Sequence, residues 1–284
     1  MTRSILFLVV FQMDYVAAGA FAVPAGFQKI DEITLPTVAM PGVVNAHHGI
    51  AFDASEWHVA NPFTNAWFTY NANFGLLRTT HAPIIRRNFG LSLDPASGHL
   101  FLSDATTGGL IEVDVTGGLI RDLSIPGAGI TAIAYDERDD SLWILNATLG
   151  QVVHRTREGA ALSSFTTGVG WTGMAIDPVR NTLLLLTNEF DEVQEYSTSG
   201  VFLSTLISGD IIPDNGQGLA YDAMLGRLFV TSQSGIVSVF QDSARVVPEP
   251  LASRLLFQVL AIVALFNRRD ICNSLYSGGV RQER

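Results

Sequence analysis

Along this chain small and large apolar residues alternate in a five-residue pattern that ends in aspartate. The pattern returns at near-constant intervals. It reads Gly49-Ile50-Ala51-Phe52-Asp53, Gly90-Leu91-Ser92-Leu93-Asp94, Ala132-Ile133-Ala134-Tyr135-Asp136, Gly173-Met174-Ala175-Ile176-Asp177 and Gly218-Leu219-Ala220-Tyr221-Asp222. The aspartates stand 41, 42, 41 and 45 residues apart. An alternation of period two predicts a β-strand. Six residues after the aspartate, four copies begin a continuous apolar strand, at Leu100, Leu142, Leu183 and Leu228. A third strand follows, as over residues 110–114 and 192–196. A turn glycine (Gly75, Gly118, Gly159 or Gly200) then opens a fourth.

A period near 41 with four short strands per unit predicts an all-β protein, a β-propeller of antiparallel blades. Residues 23–250 number 228, enough for five blades of about 42 but not for six. The small inner-strand residues Ala51, Ser92, Ala134, Ala175 and Ala220 suit a crowded centre. The fifth unit runs out after residue 240 without a fourth strand, while residues 26–35 form a spare strand near the N-terminus. This strand is expected to complete the last blade and close the ring, which removes open sheet edges. Blade one is irregular, with no clear second strand over residues 56–64. The repeat aspartates read as turn residues, because an Asp side chain bonds the backbone two residues on. Pro95 and Pro178 directly after two of them preset the turn dihedral.

These repeats resemble the NHL and YWTD-like propeller repeats over nearly the whole of residues 23–246. The resemblance implies the fold, and it implies function only broadly, since such propellers serve as binding platforms, lactonases, phytases and scaffolds. Propeller ligands are sought at one mouth of the channel. Five residues before each aspartate stand His48, Phe89, Thr131, Thr172 and Gln217, and the loops between second and third strands contribute Asn61, Asp104, Asn146, Asn188, Asp191 and Ser232. This rim is polar and weakly charged. A metal would need converging imidazoles and carboxylates. His47, His48, His58 and His81, with Asp104, are the nearest set, and Asp210 with Asp214 is a candidate for calcium that falls short of a tight-site ligand count. The run Glu189, Asp191, Glu192 and Glu195 reads as a solvent-facing edge. Trp57, Trp67 and Trp171 are candidates for stacking on sugars or for packing between blades.

The ends carry different information. Arg3, the apolar stretch of residues 5–10 and Ala20-Phe21-Ala22 lay out a signal peptide over residues 1–22. At the other end Val247-Pro248-Glu249-Pro250 precedes an apolar run of 16 residues, 251–266, and then Arg268 and Arg269. A run shorter than the about 20 residues of a stable span suits a transient anchor. The arginines would stay cytoplasmic with the tail of residues 270–284. This order of parts, over residues 247–269, resembles the PEP-CTERM sorting signal of Gram-negative and related bacteria. That resemblance implies recognition by an exosortase, removal of the helix and tail, a cell-surface or extracellular destination, and an association with polysaccharide and biofilm.

Composition agrees with export. The one cysteine, Cys272, lies beyond the arginine pair. Residues 23–250 carry 24 acidic and 11 basic side chains, a net charge of −13, which disfavours nucleic acid as a partner. No Gly-x-Ser-x-Gly, His-Glu-x-x-His or phosphate-binding glycine loop is present. The expected protein is an exported, non-enzymatic binding or scaffold module without a cofactor, its partner a polysaccharide or matrix protein. The alternative is a metal-dependent hydrolase of the lactonase or phytase type.

Overall fold

The computed structural model describes residues 26–36, 47–53, 55–125, 129–167, 170–187, 191–208, 212 and 215–245. Residues 1–22, Val247, Pro248, Glu249, Pro250, Arg268 and Arg269 lie outside them, as do Asn188, Asp210 and Asp214. Strand β1 (Phe27–Thr34) comes first. Blade one is β2 (Ile50–Phe52), β3 (Glu56–Asn61), β4 (Ala66–Asn71) and β5 (Leu76–His81). Blade two is β6 (Asn88–Leu93), β7 (Leu100–Asp104), β8 (Gly109–Val113) and β9 (Leu119–Asp122). Blade three is β10 (Ile130–Asp136), β11 (Ser141–Asn146), β12 (Gln151–Thr156) and β13 (Ala161–Thr166). Blade four is β14 (Trp171–Asp177), β15 (Thr182–Thr187), β16 (Glu192–Ser197) and β17 (Phe202–Ile207). Blade five is β18 (Gly216–Asp222), β19 (Arg227–Ser232) and β20 (Ile236–Asp242), with β1 as its outer strand.

The result is five antiparallel four-stranded sheets. The N-terminal strand closes the ring as its spare position requires. β1 pairs with β20 from Phe27 opposite Asp242 to Thr34 opposite Ile236, with one irregularity between Lys29 and Asp31. Blade one does have a second strand, β3, paired with Trp57 opposite Tyr70. It escapes a hydropathy reading because it carries Glu56 and His58 among its apolar residues, yet His58 is fully buried.

The repeat pattern becomes a rule for blade-to-blade packing. Each inner strand turns its large pair toward the preceding blade and its small residues toward the next. Leu91 and Leu93 of blade two pack with Ala51 of blade one. Ile133 and Tyr135 pack with Phe101 and Leu110 of blade two. Met174 and Ile176 meet Ala132 and Ala134 of blade three. Leu219 and Tyr221 meet Ala175 of blade four, and Ile50 and Phe52 meet Ala220 of blade five. The small face grows along the strand, from glycine (Ala132 in blade three) through alanine or serine to aspartate. Strands in contact at the glycine must therefore splay toward the aspartate.

The contact at the glycine is tight. A Cβ on Gly218 would lie 1.9 Å from His48 O of blade one, and one on Gly49 would lie 2.3 Å from Leu91 N of blade two. Hydrogen bonds knit every inter-blade step. The Gly49 amide donates to Phe89 O at 2.7 Å. The Tyr135 amide donates to Ser92 Oγ at 2.9 Å, and the hydroxyls of Thr131 and Thr172 donate to Trp171 O at 3.2 Å and Gly216 O at 2.9 Å. Thr231 donates to His48 O at 2.5 Å.

The turn before each outer strand needs one left-handed residue. It is Gly159 (φ 92°) and Gly200 (φ 86°) as expected, but in blades one and two it is Phe74 (φ 59°) and Gly117 (φ 95°), one position before Gly75 and Gly118. Gly218→Ala is expected to lower stability by about 3 kcal/mol, because neither neighbouring backbone can retreat. Gly170→Ala, where an added Cβ meets nothing within 4 Å, should stay within about 0.5 kcal/mol of wild type. Urea midpoints of the two variants check this, and equal midpoints would refute it.

Candidate functional site

The two ends of the channel differ. At the N-terminal ends of the inner strands the glycines leave a void of about 10 Å³, bordered by Gly49, Gly90, Thr131, Thr172 and Gly218. That is at most one water. At their C-terminal ends the strands open into a cavity of about 370 Å³. Its walls are largely apolar, including Leu93, Ile133, Met174 and Leu219, and its mouth carries Phe52, Tyr135, Tyr221 and Met224. Met224 is 81% exposed at the rim.

The described rim residues singled out from the sequence lie at the closed end, where they take part in local contacts, while Asn188 lies outside the described residues. Thr131 and Thr172 hold the inter-blade bonds described above. His48 is buried with its ring edge-on to Phe89, centroids 4.8 Å apart. His47 turns the other way, its ring 6.0 Å from Phe68. Gln217 is buried and donates to Asn215 O at 3.1 Å. Asp104, fully buried, accepts from the amides of Arg86, Arg87, Thr106 and Thr107. Asn61 accepts from the Phe63 and Thr64 amides, and Asn146 from the Leu149 amide. Ser232 accepts from the Ile236 amide, and Asp191 from the Gly216 amide. Among the described residues no three His, Cys, Asp or Glu side chains converge as a metal site would require. His81 is exposed.

The acidic run of β16 is not a uniformly solvated edge. Glu195 is buried and accepts from the hydroxyls of Thr182 at 2.8 Å and Ser204 at 3.2 Å. Its place between two hydroxyl-bearing strands is what the sequence pattern hid. Trp57, Trp67 and Trp171 are all buried between blades rather than presented to solvent.

At the open end the repeat aspartates behave as turn residues. Asp53 accepts from the Ser55 and Glu56 amides, Asp94 from Ala96 and Ser97, Asp177 from Val179 and Arg180, and Asp222 from Met224 and Leu225. Asp136 accepts from the Arg138 amide. Three of them also meet an arginine that links their blade to the next. Arg157 of blade three pairs with Asp94 at 2.8 Å and with Glu112 of blade two. Arg138 pairs with Asp136 at 2.6 Å and donates to Pro178 O of blade four. Arg245, after blade five, pairs with Asp177 at 3.0 Å. Burial pushes the Asp94 and Glu112 carboxyls up, but their hydrogen bonds, Arg157 among them, outweigh it and hold both below the usual range. Burial likewise raises Asp136, and the bonds from Arg138 overcome it.

The open cavity was the feature missed in the sequence. Its signal was present in the dipeptides Phe52-Asp53, Tyr135-Asp136 and Tyr221-Asp222, which set an aromatic ring beside a carboxylate at one end of three inner strands.

No family model matches the chain, and no curated protein matches it. Solved structures do. The structure is similar to the glutaminyl cyclase of Myxococcus xanthus with a TM-score of 0.59 and 13% sequence identity, over 76% of this chain and 95% of that one. It is also similar to the WD40 β-propeller domain of Doa1, with a TM-score of 0.49 and 12% identity over 69% of this chain and 64% of the other. At 13% identity the first likeness shows the propeller fold alone.

Two outcomes follow from these contacts. Arg157→Met leaves Asp94, 1% exposed, with only its turn bonds and Glu112, 1% exposed, with His99 and Arg121, and is expected to cost roughly 1.5–3 kcal/mol in urea unfolding. Adding Glu112→Gln should recover part of that loss, and no recovery would show that the guanidinium is not serving these carboxylates. The buried histidines set the acid response. Burial, then His47, lowers His48 from 6.5 to about 4. Burial, followed by Arg78 against the opposing pull of Asp53 and Glu56, does the same for His58. Both stay neutral in the fold while the unfolded chain protonates them below 6.5. Stability is thus full above that value and falls as pH drops toward 4, by up to about 3 kcal/mol for each. His58→Gln should flatten the slope of unfolding free energy across that window, and an unchanged slope would remove His58 from the account.

Proposed function

We propose that this chain is an exported five-bladed propeller that acts as a non-enzymatic binding or scaffold module at the cell surface. In this reading residues 1–22 direct export, and the Val247-Pro248-Glu249-Pro250 segment with Arg268 and Arg269 directs processing by an exosortase-type enzyme. The destination is the polysaccharide or biofilm matrix, where a glycan or matrix protein is the partner.

The observation that carries the binding reading is the character of the open cavity. It is a receptacle of about 370 Å³ with mainly apolar walls, and of the aspartates that border it Asp136 is held by Arg138 and Asp53 and Asp222 accept turn amides. Such a site offers shape and apolar surface to a ligand. General acid–base chemistry would instead ask for a carboxylate or imidazole free to exchange protons near neutrality. The terminal segments support the location, since they flank a propeller whose ring closes through β1 and β20, within residues 26–242.

Processing tests the sorting reading. Pro248→Ala with Pro250→Ala should leave the C-terminal segment attached and the protein in the membrane fraction, detected by a tag placed after residue 284. The propeller's thermal midpoint should stay unchanged. Release of the tag at the wild-type rate would sink the sorting assignment. A stoichiometric calcium or zinc ion in the purified chain, with lactone or phosphoester hydrolysis lost on chelation, would replace the binding reading with the hydrolase one.

A further inference from the structure

At the open end, two inter-blade interfaces hold the same three-part arrangement. Between blades two and three, the Arg157 guanidinium pairs with Asp94 and lies 5.7 Å from the centre of the Tyr135 ring and 5.5 Å from that of Phe101. Between blades four and five, the Arg245 guanidinium pairs with Asp177 and lies 5.6 Å from the centre of the Tyr221 ring. In each case the carboxylate is the motif aspartate of one blade and the ring is the last large residue of the next blade's inner strand. A guanidinium between a carboxylate and an aromatic face gains both a charge-assisted hydrogen bond and a cation–π contact.

In sequence the interface of blades five and one repeats the receiving half of this arrangement, while in space Trp57 lies against both of its rings, 4.1 Å from Phe52 and 4.4 Å from Phe229. Asp222 stands where Asp94 and Asp177 stand, and Phe52 where Tyr135 and Tyr221 stand. Phe229, seven residues after Asp222, matches Phe101, seven after Asp94. All of Asp222, Phe52 and Phe229 border the cavity, and Asp222 and Phe52 are partly exposed. Trp57 stacks on Phe52 with centroids 4.1 Å apart, and Phe74 stacks on Trp57 at 5.1 Å, so the ring is held in place. The turn position that supplies Arg157 in blade three is Ala72 in blade one, each being the residue after the carbonyl that accepts the turn hydrogen bond. Among the described residues no lysine or arginine pairs with Asp222. Its Oδ1 is occupied by the Met224 and Leu225 amides, as in the other turns.

We propose that this seat, Asp222 with Phe52, receives an arginine side chain from a peptide partner, whose neighbouring apolar residue enters the cavity. The inference deepens the binding-module reading and rests on it. The choice of guanidinium follows from the molecule itself, which fills both equivalent seats with arginine. Lysine would offer a point charge without the planar fork that spans carboxylate and ring. The choice of a peptide over a sugar follows from the walls: Met174, Ile176 and Leu219 would leave sugar hydroxyls without hydrogen-bond partners.

The probe is acetyl-Phe-Arg-Leu-amide, titrated calorimetrically into the full-length chain, beside the same peptide with citrulline for arginine. Citrulline keeps the shape and removes the charge. The arginine peptide should bind saturably, and both the citrulline exchange and Asp222→Asn should weaken it about tenfold. Asparagine keeps the oxygen that caps the turn, so the variant should retain its melting temperature. Asp94→Asn, whose partner is Arg157, should leave peptide affinity unchanged. Equal affinity for the two peptides, an unaffected Asp222→Asn, or no saturable binding would each overturn the proposal. Tighter binding of a glucosamine oligomer, lost in Asp222→Asn, would overturn the peptide assignment while leaving a binding module. Failure of C-terminal processing is read in a separate assay and bears only on sorting.

Discussion

The closest constraint in this molecule is backbone against backbone at the channel axis. Five inner strands meet there with no room for a side chain between Gly218 and His48 or between Gly49 and Leu91. The strands touch at one end and must diverge, because the residues on the same face grow from glycine, or Ala132 in blade three, through alanine or serine to aspartate. The pattern that repeats in the sequence is therefore a taper. It explains in one step why one end is sealed to about 10 Å³ and the other opens to about 370 Å³. The large pair on the opposite face supplies the adhesion. Residues such as Leu91, Ile133 and Met174 are almost fully buried, each worth on the order of 2 kcal/mol of apolar burial.

Sealing by glycine leaves the splayed end in need of a fastening, and arginine provides it where the turns allow. Arg157, Arg138 and Arg245 each join one blade's aspartate to the next blade, and Arg180 adds a bond to Asp242 at 2.5 Å. These pairs combine a largely buried carboxylate with a half-buried guanidinium, the geometry in which losing one partner costs more than the pair contributes. Around blade one the fastening is different. The stack of Phe52, Trp57 and Phe74, with Phe229 tilted against Trp57 at 4.4 Å, holds the closure by apolar contact. Phe74 accepts a left-handed backbone to join it, which a phenylalanine adopts only at a cost of about 1 kcal/mol or more.

The architecture was legible because it is local and repeated. The spacing of the aspartates, their turn bonds and the spare strand at residues 26–35 all follow from short-range chemistry multiplied by recurrence. Which end of the channel is open was not legible in the same way. It depends on how nearly Gly218 approaches His48, residues 170 positions apart along the chain, and hydropathy carries no record of such a distance. The same limit applies to β3, where His58 is buried through a bond to Thr69, and to Glu195, buried through Thr182 and Ser204. In each case a polar residue is satisfied by a strand neighbour, so its letter suggests solvent while its partners permit burial. The polar rim drawn from the sequence has the same origin: Asp104 and Asn61 look available until the amides they cap are seen.

In a repeated fold, a position that departs from the repeat carries more information than one that conforms. The conforming positions answer to the taper and would be kept for packing alone. The departures gather on blade one: Phe74 in place of a turn glycine, Trp57 in place of an aliphatic residue, and an aspartate on each side, Asp53 and Asp222, that no arginine of the described residues engages. The aromatic departures close this interface by apolar contact, and the two aspartates are left with their turn amides. A half-exposed ring and a carboxylate beside an apolar cavity make up the part of a guanidinium seat that a scaffold contributes, and the missing part is of a kind that another molecule can bring.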